Sequence, residues 1–343
     1  MNKFKMFWIK VWNVLKKFPV FMSIAVLLPT SIYFFRYIFS TEHYYFNLNY
    51  EGERVNVDPH TFEITEITTA INKIYDISSF SNYQGGACYQ NYYALCSNNF
   101  ECILIYNMET KKVEHTITTG MTDTEYHCNT CFFGPTFYSS SDKFPLLYIS
   151  MENESVESTF AYRINQNATK NQITKIQELH FNVDNGEKLY YPNSYYDYES
   201  GLLYYSGYTK KSYMKSEDNI LRYYSFQLPD HRIEYVELNT SEAEEMFDLP
   251  SETATQGGFI SNGYLYQTFS FNSETELIRA PKFRLVDLKE KTIIYQVDDL
   301  GKQFGVYDEF ENVAICNDGH IYGFGVKSLR IYDFIYKADI PTN

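Results

Sequence analysis

Seven polar side chains scattered along the chain could do chemistry together: Gln84, His127, Asn129, Asn193, Gln256, Glu309 and Glu311. The amide oxygens of Asn129 and Asn193 and the carboxylates of Glu309 and Glu311 are hard donors suited to Ca²⁺ or Mg²⁺, and the His127 imidazole would admit Zn²⁺ or Mn²⁺. With His127 as base and Glu311 as acid, the same set could serve a hydrolase or lyase, provided burial and like charge shift both groups. Paired carboxylates also suit a glycosidase. As donors and acceptors alone, the group could hydrogen-bond a polar ligand such as a glycan. The opposing reading is that these groups only satisfy backbone contacts and ordered water. No ligand-spacing motif, G-x-S-x-G or triad signature is present. No catalytic residue, metal ligand or cofactor is therefore assigned, and Gln84, His127, Asn129, Asn193, Gln256 and Glu311 stand as a candidate ligand-binding set, with Glu309 beside them.

A repeat is what would bring them together. Gln84-Gly85-Gly86 opens QGGACYQNYYAL, and Gln256-Gly257-Gly258 opens QGGFISNGYLYQ. Each leads through an apolar run and a two-residue turn (Gln90-Asn91, Asn262-Gly263) into a Tyr-rich run. A unit recurring at long range marks a repeat architecture, and short β-rich runs between turn signals mark an all-β one. The expected fold is a β-propeller. The first unit runs from Gln84 to Ile117. The second starts at His127-Cys128-Asn129 and includes FPLLYIS, TFAYRI and ITKIQELHF. The third starts at Tyr191-Pro192-Asn193 and takes LLYYSGY, LRYYSF and IEYVEL. The fourth starts at Gln256, and the fifth near Glu309-Phe310-Glu311. The fifth lacks an outer strand, while a strand near Phe62–Thr68 lacks a partner, so the two should pair and close the ring. The count is five blades, or six if residues 42–80 hold more than one strand or the long second unit divides. The first strand of each blade lines the axis, so the polar residues that open the blades should converge at one mouth.

The ends differ in character from the middle. Phe18 to Phe35 is an 18-residue run without charge, preceded by five lysines. That length can span a bilayer, with Arg36 snorkelling, and the lysines keep the N-terminus cytoplasmic. No A-x-A site follows to favour the rival, a cleaved signal peptide. The expected organisation is a basic cytoplasmic segment 1–17, a single-pass transmembrane signal anchor 18–39, a linker 40–52, an extracytoplasmic propeller 53–338 and a tail 339–343. Six of the 29 basic residues and none of the 43 acids precede residue 42, so 23 cations meet 43 acids after it, a net −20. Such a body repels nucleic acid and anionic surfaces. It tolerates neutral or cationic ligands, and it is also what an ordinary soluble acidic surface looks like.

In Gln84–Gly86, His127–Asn129, Phe144–Ser150, Tyr191–Asn193, Ala254–Phe259 and Glu309–Glu311, the chain resembles a group of Bacteroidota-type bacterial β-propellers with an N-terminal membrane or signal segment. The resemblance covers roughly residues 80–336. It is more distantly similar to helveticin-like and teichoic-acid-linked five-bladed propellers. The closer group brings no assigned activity. The distant one implies binding of a cell-surface polymer more than catalysis. In the closer group a Gly usually follows E-x-E, whereas Asn312 stands there in this chain.

Cys128-x-x-Cys131 has no second C-x-x-C among Cys88, Cys96, Cys102 and Cys316, so a four-ligand zinc site is not indicated. In an extended strand its two thiols would face opposite ways. Beyond a membrane anchor one or two disulfides could form, with other cysteines buried and free. Tyr191, Tyr195, Tyr196 and Tyr198, and Tyr204, Tyr205 and Tyr208, could make a sugar platform or simply fill the packed blade faces. Asn153, Asn167 and Asn239 open N-x-S/T triplets, which mean little in a bacterium. The sequence thus points to a membrane-anchored extracytoplasmic propeller with a ligand, glycan or envelope polymer, at its axis. The alternatives are a metal-assisted hydrolase or lyase there, or an envelope protein-interaction scaffold.

Overall fold

The computed structural model describes residues 62–66, 83–120, 127–153, 156–167, 170–184, 188–211, 219–251, 253–269, 281–306, 308–326 and 328–336. The expected anchor 18–39 and its flanks lie outside these. Among the described residues no helix is long and apolar enough to cross a membrane.

Five sheets, antiparallel apart from one added strand, form a five-bladed β-propeller. Blade 1 is β2 (Tyr83–Tyr89), β3 (Tyr92–Ser97), β4 (Cys102–Asn107) and β5 (Lys112–Thr118), joined in that order. Blade 2 is β6 (His127–Phe133), β7 (Leu147–Asn153), β8 (Val156–Asn167) and β9 (Lys170–Asn182), with β13 (Tyr235–Asn239) added outside. Blade 3 is β10 (Tyr190–Tyr196), β11 (Leu202–Tyr208), β12 (Ile220–Gln227) and β14 (Glu245–Pro250). Blade 4 is β15 (Thr255–Ser261), β16 (Tyr264–Phe269), β17 (Lys282–Asp287) and β18 (Thr292–Val297). Blade 5 is β19 (Phe310–Ile315), β20 (Ile321–Gly325), β21 (Arg330–Tyr336) and, from the other end of the chain, β1 (Phe62–Glu66). β1 runs antiparallel to β21 with Phe62 opposite Tyr336. The expected closure is therefore the observed one.

One expected strand belongs elsewhere. The IEYVEL run does not finish blade 3: β13 pairs in parallel with β9 of blade 2, Tyr235 opposite Glu178. The buried Gln177 of β9 holds the incoming chain, its amide donating to the Asp230 and Ile233 carbonyls at 2.8 and 3.0 Å. Val236 and Leu238 then pack onto the core between blades 2 and 3. The true outer strand, β14, reads as a weaker signal, EMFDLP, but its Phe247 and Leu249 face the core while Asp248 forms a two-pronged pair with Arg222.

The core lies between blades rather than within any one. In β3, Ala94 and Cys96 face blade 2, while Tyr93 and Leu95 face blade 5. A sheet buried on both faces needs apolar residues at every position, and β4 is buried throughout, whereas the outer β5 is mostly exposed or half-buried. Large flat rings fill these wedges, as where Phe181 stacks on Tyr205 with centroids 3.7 Å apart. Many of the described Tyr and Phe residues are used in this way.

A disulfide joins Cys88 of β2 to Cys316, just after β19, and so links blade 1 to blade 5 across the seam between the first and last blades. It connects residues 228 apart in sequence. A cross-link closing so long a loop restricts the unfolded chain and stabilises by about 2–5 kcal/mol. Thermal unfolding with and without reductant should show a lower midpoint in reductant, and Cys88→Ser should show the lower midpoint in both conditions. An unmoved wild-type curve in reductant would contradict this.

Candidate functional site

β2, β6, β10, β15 and β19 are the first strand of each blade and surround the axis. Each carries a β-bulge at the same step. One extra residue breaks the register between Tyr83 and Gly86, Cys128 and Cys131, Tyr190 and Asn193, Thr255 and Gly257, and Phe310 and Asn312. Bulges re-aim side chains and raise local twist. The bulged residues include Gln84, Asn129, Gln256 and Glu311. In blade 3 the register places Tyr191, at φ 56°, in the corresponding position, and Asn193 lies beyond the bulge.

The glycines of the repeat let these strands approach one another. A Cβ on Gly85 would sit 2.9 Å from Cys128 Sγ, and one on Gly257 would sit 2.6 Å from the Glu311 carbonyl oxygen, each in the following blade. A Cβ on Gly86 would fall 2.2 Å from Asn312 Oδ1, in the preceding blade. Asn312 bridges blades 5 and 1. Its amide donates to the Gln84 carbonyl at 2.7 Å, and its oxygen accepts from the Tyr93 hydroxyl.

The candidate residues are brought to the inner strands but are mostly sealed there. Gln84, Asn129, Asn193 and Glu311 are buried, and His127 and Gln256 are partly buried. Asn129 donates to the Pro192 carbonyl at 3.2 Å, and Gln256 donates to Glu309 at 3.3 Å. Burial pushes His127 below its usual 6.5, so it is neutral at pH 7. Burial, then the charges of Glu309 and Asp308, push the Glu311 carboxyl well above 4.5. Its Oε2 and the Asn193 Oδ1 are buried without a hydrogen-bond partner. Asp308 is buried, accepting from the Tyr332 hydroxyl at 3.0 Å and from Ser328. Among the described residues no group of three His, Cys, Asp or Glu side chains is arranged to hold a metal ion.

The C-x-x-C thiols do not face opposite ways. The bulge between them turns both toward Gly85, and Cys131 Sγ lies 3.9 Å from Cys96 Sγ. Burial holds Cys128 and Cys131 above the usual thiol range, so they stay protonated and unreactive.

An open site lies further along the same strands. A cavity of about 180 Å³ occupies the axis and takes lining residues from all five inner strands. It begins at Gly86, Cys131 and Gly258, just past the bulges, and contains none of the six candidate residues. Its walls include Phe132, Phe133, Tyr196 and Phe259, and its rim includes Asp197, Tyr198 and Glu199. No lining residue is cationic. Tyr198 has 56% of its surface exposed, yet its hydroxyl is tucked onto the Phe133 carbonyl, which fixes the ring at the rim. Asp197 is spent on its turn, accepting from the Glu199 N–H at 3.1 Å and the Ser200 hydroxyl at 2.6 Å. Of the tyrosines marked in the sequence, Tyr195, Tyr196 and Tyr198 line this cavity, whereas Tyr204, Tyr205 and Tyr208 fill inter-blade cores. Phe132, Phe133, Phe259 and Glu199 were not singled out. The three rings stand on blade-opening strands and Glu199 in the turn after one, where strand pattern alone does not tell channel from core.

No family model matches the chain, and no curated protein matches it. Solved structures similar to it include the glutaminyl cyclase of Myxococcus xanthus, 12% identical with a TM-score of 0.47, covering 82% of this chain and 100% of that one. A glucose dehydrogenase is 8% identical with a TM-score of 0.46, over 80% and 99% of the chains. The PQQ-bound aldose sugar dehydrogenase of Streptomyces coelicolor is 9% identical with a TM-score of 0.46, over 81% and 99%. At that distance the likeness says nothing of activity.

The buried Glu311 gives a pH dependence. Its folded-state value is raised, so its stabilising contribution is complete below the unfolded value near 4.5 and is lost as pH rises toward the folded value. Glu311→Gln removes that loss. Urea midpoints should therefore favour the variant increasingly as pH rises above about 4.5. A difference that stays flat with pH would contradict the buried, protonated state.

Proposed function

We propose that this protein is a membrane-anchored extracytoplasmic propeller that binds the terminal sugar-sized unit of a neutral or cationic glycan or envelope polymer in its axial cavity. The observation that carries the reading is the cavity itself: lining from all five blades, aromatic rings from blades 2, 3 and 4, two acids and no cation. Ligand sites are mostly apolar hollows with a few fixed polar groups, and drug-sized ligands need about 300–1,000 Å³. A cavity of about 180 Å³ suits one end of a larger molecule. The exposed ring of Tyr198, held by its hydroxyl, offers a flat face for a sugar.

Binding is favoured over hydrolysis at this cavity. Of the two rim carboxylates, Asp197 is committed to its turn, so Glu199 has no free partner for two-carboxylate chemistry. The expected hydrolytic pair, His127 and Glu311, is absent from the lining. The anchor is supported by the uncharged run 18–35 after five lysines. An oxidising location is supported by the Cys88–Cys316 bridge, since disulfides are rare where thiols are kept reduced.

Calorimetric titration of the full-length chain with a panel of neutral, cationic and anionic glycans tests this. A neutral or cationic glycan should bind, and Tyr198→Ala should weaken it about three- to tenfold, the worth of one aromatic contact of about 0.5–1.5 kcal/mol. No binding across the panel would leave the scaffold reading in its place.

A further inference from the structure

The blades connect their first and second strands by short turns at the cavity face, with one exception. Gln90-Asn91 suffices in blade 1 and Asn262-Gly263 in blade 4, while residues 197–201 and 316–320 serve blades 3 and 5. In blade 2 the chain leaves the axis at Phe133 and re-enters the sheet only at Leu147. Insertions in one unit of a repeat protein map to loops on one face, often the binding face, and a long ordered loop is usually functional.

This loop is a braced platform. At its base Gly134 N–H donates to the Leu146 carbonyl at 2.7 Å and Leu146 N–H to the Thr136 carbonyl at 2.9 Å. At its tip Asp142 takes a two-pronged contact from Arg163 at 2.6 and 2.9 Å and accepts from the Ser139 N–H. So held, the loop nevertheless turns two aromatic rings to solvent, Phe137 at 40% exposure and Tyr138 at 50%. Phe137 continues the axial site, while the Tyr138 ring beside it is braced by Arg163 over one face at 4.8 Å and by His231 at its edge. Phe133 lines the cavity and packs against Tyr89 with centroids 5.7 Å apart, and Tyr89 lies 6.0 Å from Phe137. An aromatic path thus runs from the cavity over blades 1 and 2 to the loop. The cations along it are neutralised, Arg163 by Asp142 and Lys143 by Glu114 at 3.4 Å.

We infer that the loop between β6 and β7 is an outer subsite that stacks the sugar rings following the unit in the cavity, so that the ligand is an extended neutral glycan chain lying from the axis across blade 2. The inference rests on the axial binding reading and deepens it. Stacked rings suit the apolar faces of sugars, and the paired cations offer no charge to a polyanion.

The test uses the full-length chain and, as probes, neutral gluco-, xylo-, manno- and N-acetylglucosamine oligosaccharides from one unit to six, titrated by calorimetry. Wild type should bind the six-unit member of its preferred series at least about tenfold more tightly than the single sugar, from two further aromatic contacts. The double variant Phe137→Ala/Tyr138→Ala should bring that ratio close to one, and Phe137→Trp/Tyr138→Trp should retain it. Both positions are exposed, so an unchanged unfolding midpoint certifies the fold. A wild-type ratio near one, or a ratio that survives the double alanine variant, overturns the outer subsite while leaving the axial site standing. Failure of wild type to bind any member overturns the outer subsite, and failure to bind the cationic glycans as well overturns the axial reading.

Discussion

Five strands must share one axis, and their mutual crowding is the constraint from which the rest of this structure follows. A side chain at Gly85, Gly86 or Gly257 would collide with the neighbouring inner strand or with Asn312. The two Gln-Gly-Gly repeats are thus explained by steric need before any ligand is considered. The bulge in every inner strand is the companion device: it lets a flat ladder turn toward the axis. Together they divide the channel. Before and at the bulge the strands carry polar groups packed nearly dry. Beyond it they diverge enough to leave an aromatic-walled cavity open at one face.

The ring then has to be shut, and it is shut twice at the same seam. β1 supplies the outer strand of blade 5, and the Cys88–Cys316 bridge ties the innermost parts of blades 1 and 5. Asn312 adds a polar link there, between Gln84 and Tyr93. Asn312 is therefore a joint between first and last blades. Closure and channel are coupled, because Cys88 also lines the cavity. Against this closed repeat, the long braced loop of blade 2 stands out as an addition rather than a requirement of the fold.

Much of this was legible in the residues. The repeat, the blade starts, five as the count and the pairing of both ends follow from strand patterns and from the cost of an unpaired edge. The parallel addition of β13 to blade 2 was not legible, because IEYVEL alternates as an outer strand would and only Gln177, distant in sequence, redirects it. The C-x-x-C thiols were misjudged because a one-residue bulge inverts facing. The six polar candidates did reach the inner strands, and a dry, partly unsatisfied setting explains their polarity differently from an open site. The cavity lies a few residues further on, where Phe132, Phe133 and Phe259 looked like ordinary core. Strand periodicity cannot separate a ring that fills a core from one that walls a channel.

The coupling between Gly86 and Asn312 tests the close-approach account most directly. Equilibrium unfolding of Gly86→Ala, Asn312→Gly and the double variant gives it as a double-mutant cycle. The account predicts that Gly86→Ala alone costs about 1–3 kcal/mol, the usual cost of overpacking, and that much of this vanishes when Asn312 is already Gly. Additivity of the two changes within about 0.3–0.5 kcal/mol would contradict it, and with it the claim that crowding between neighbouring inner strands shapes this propeller.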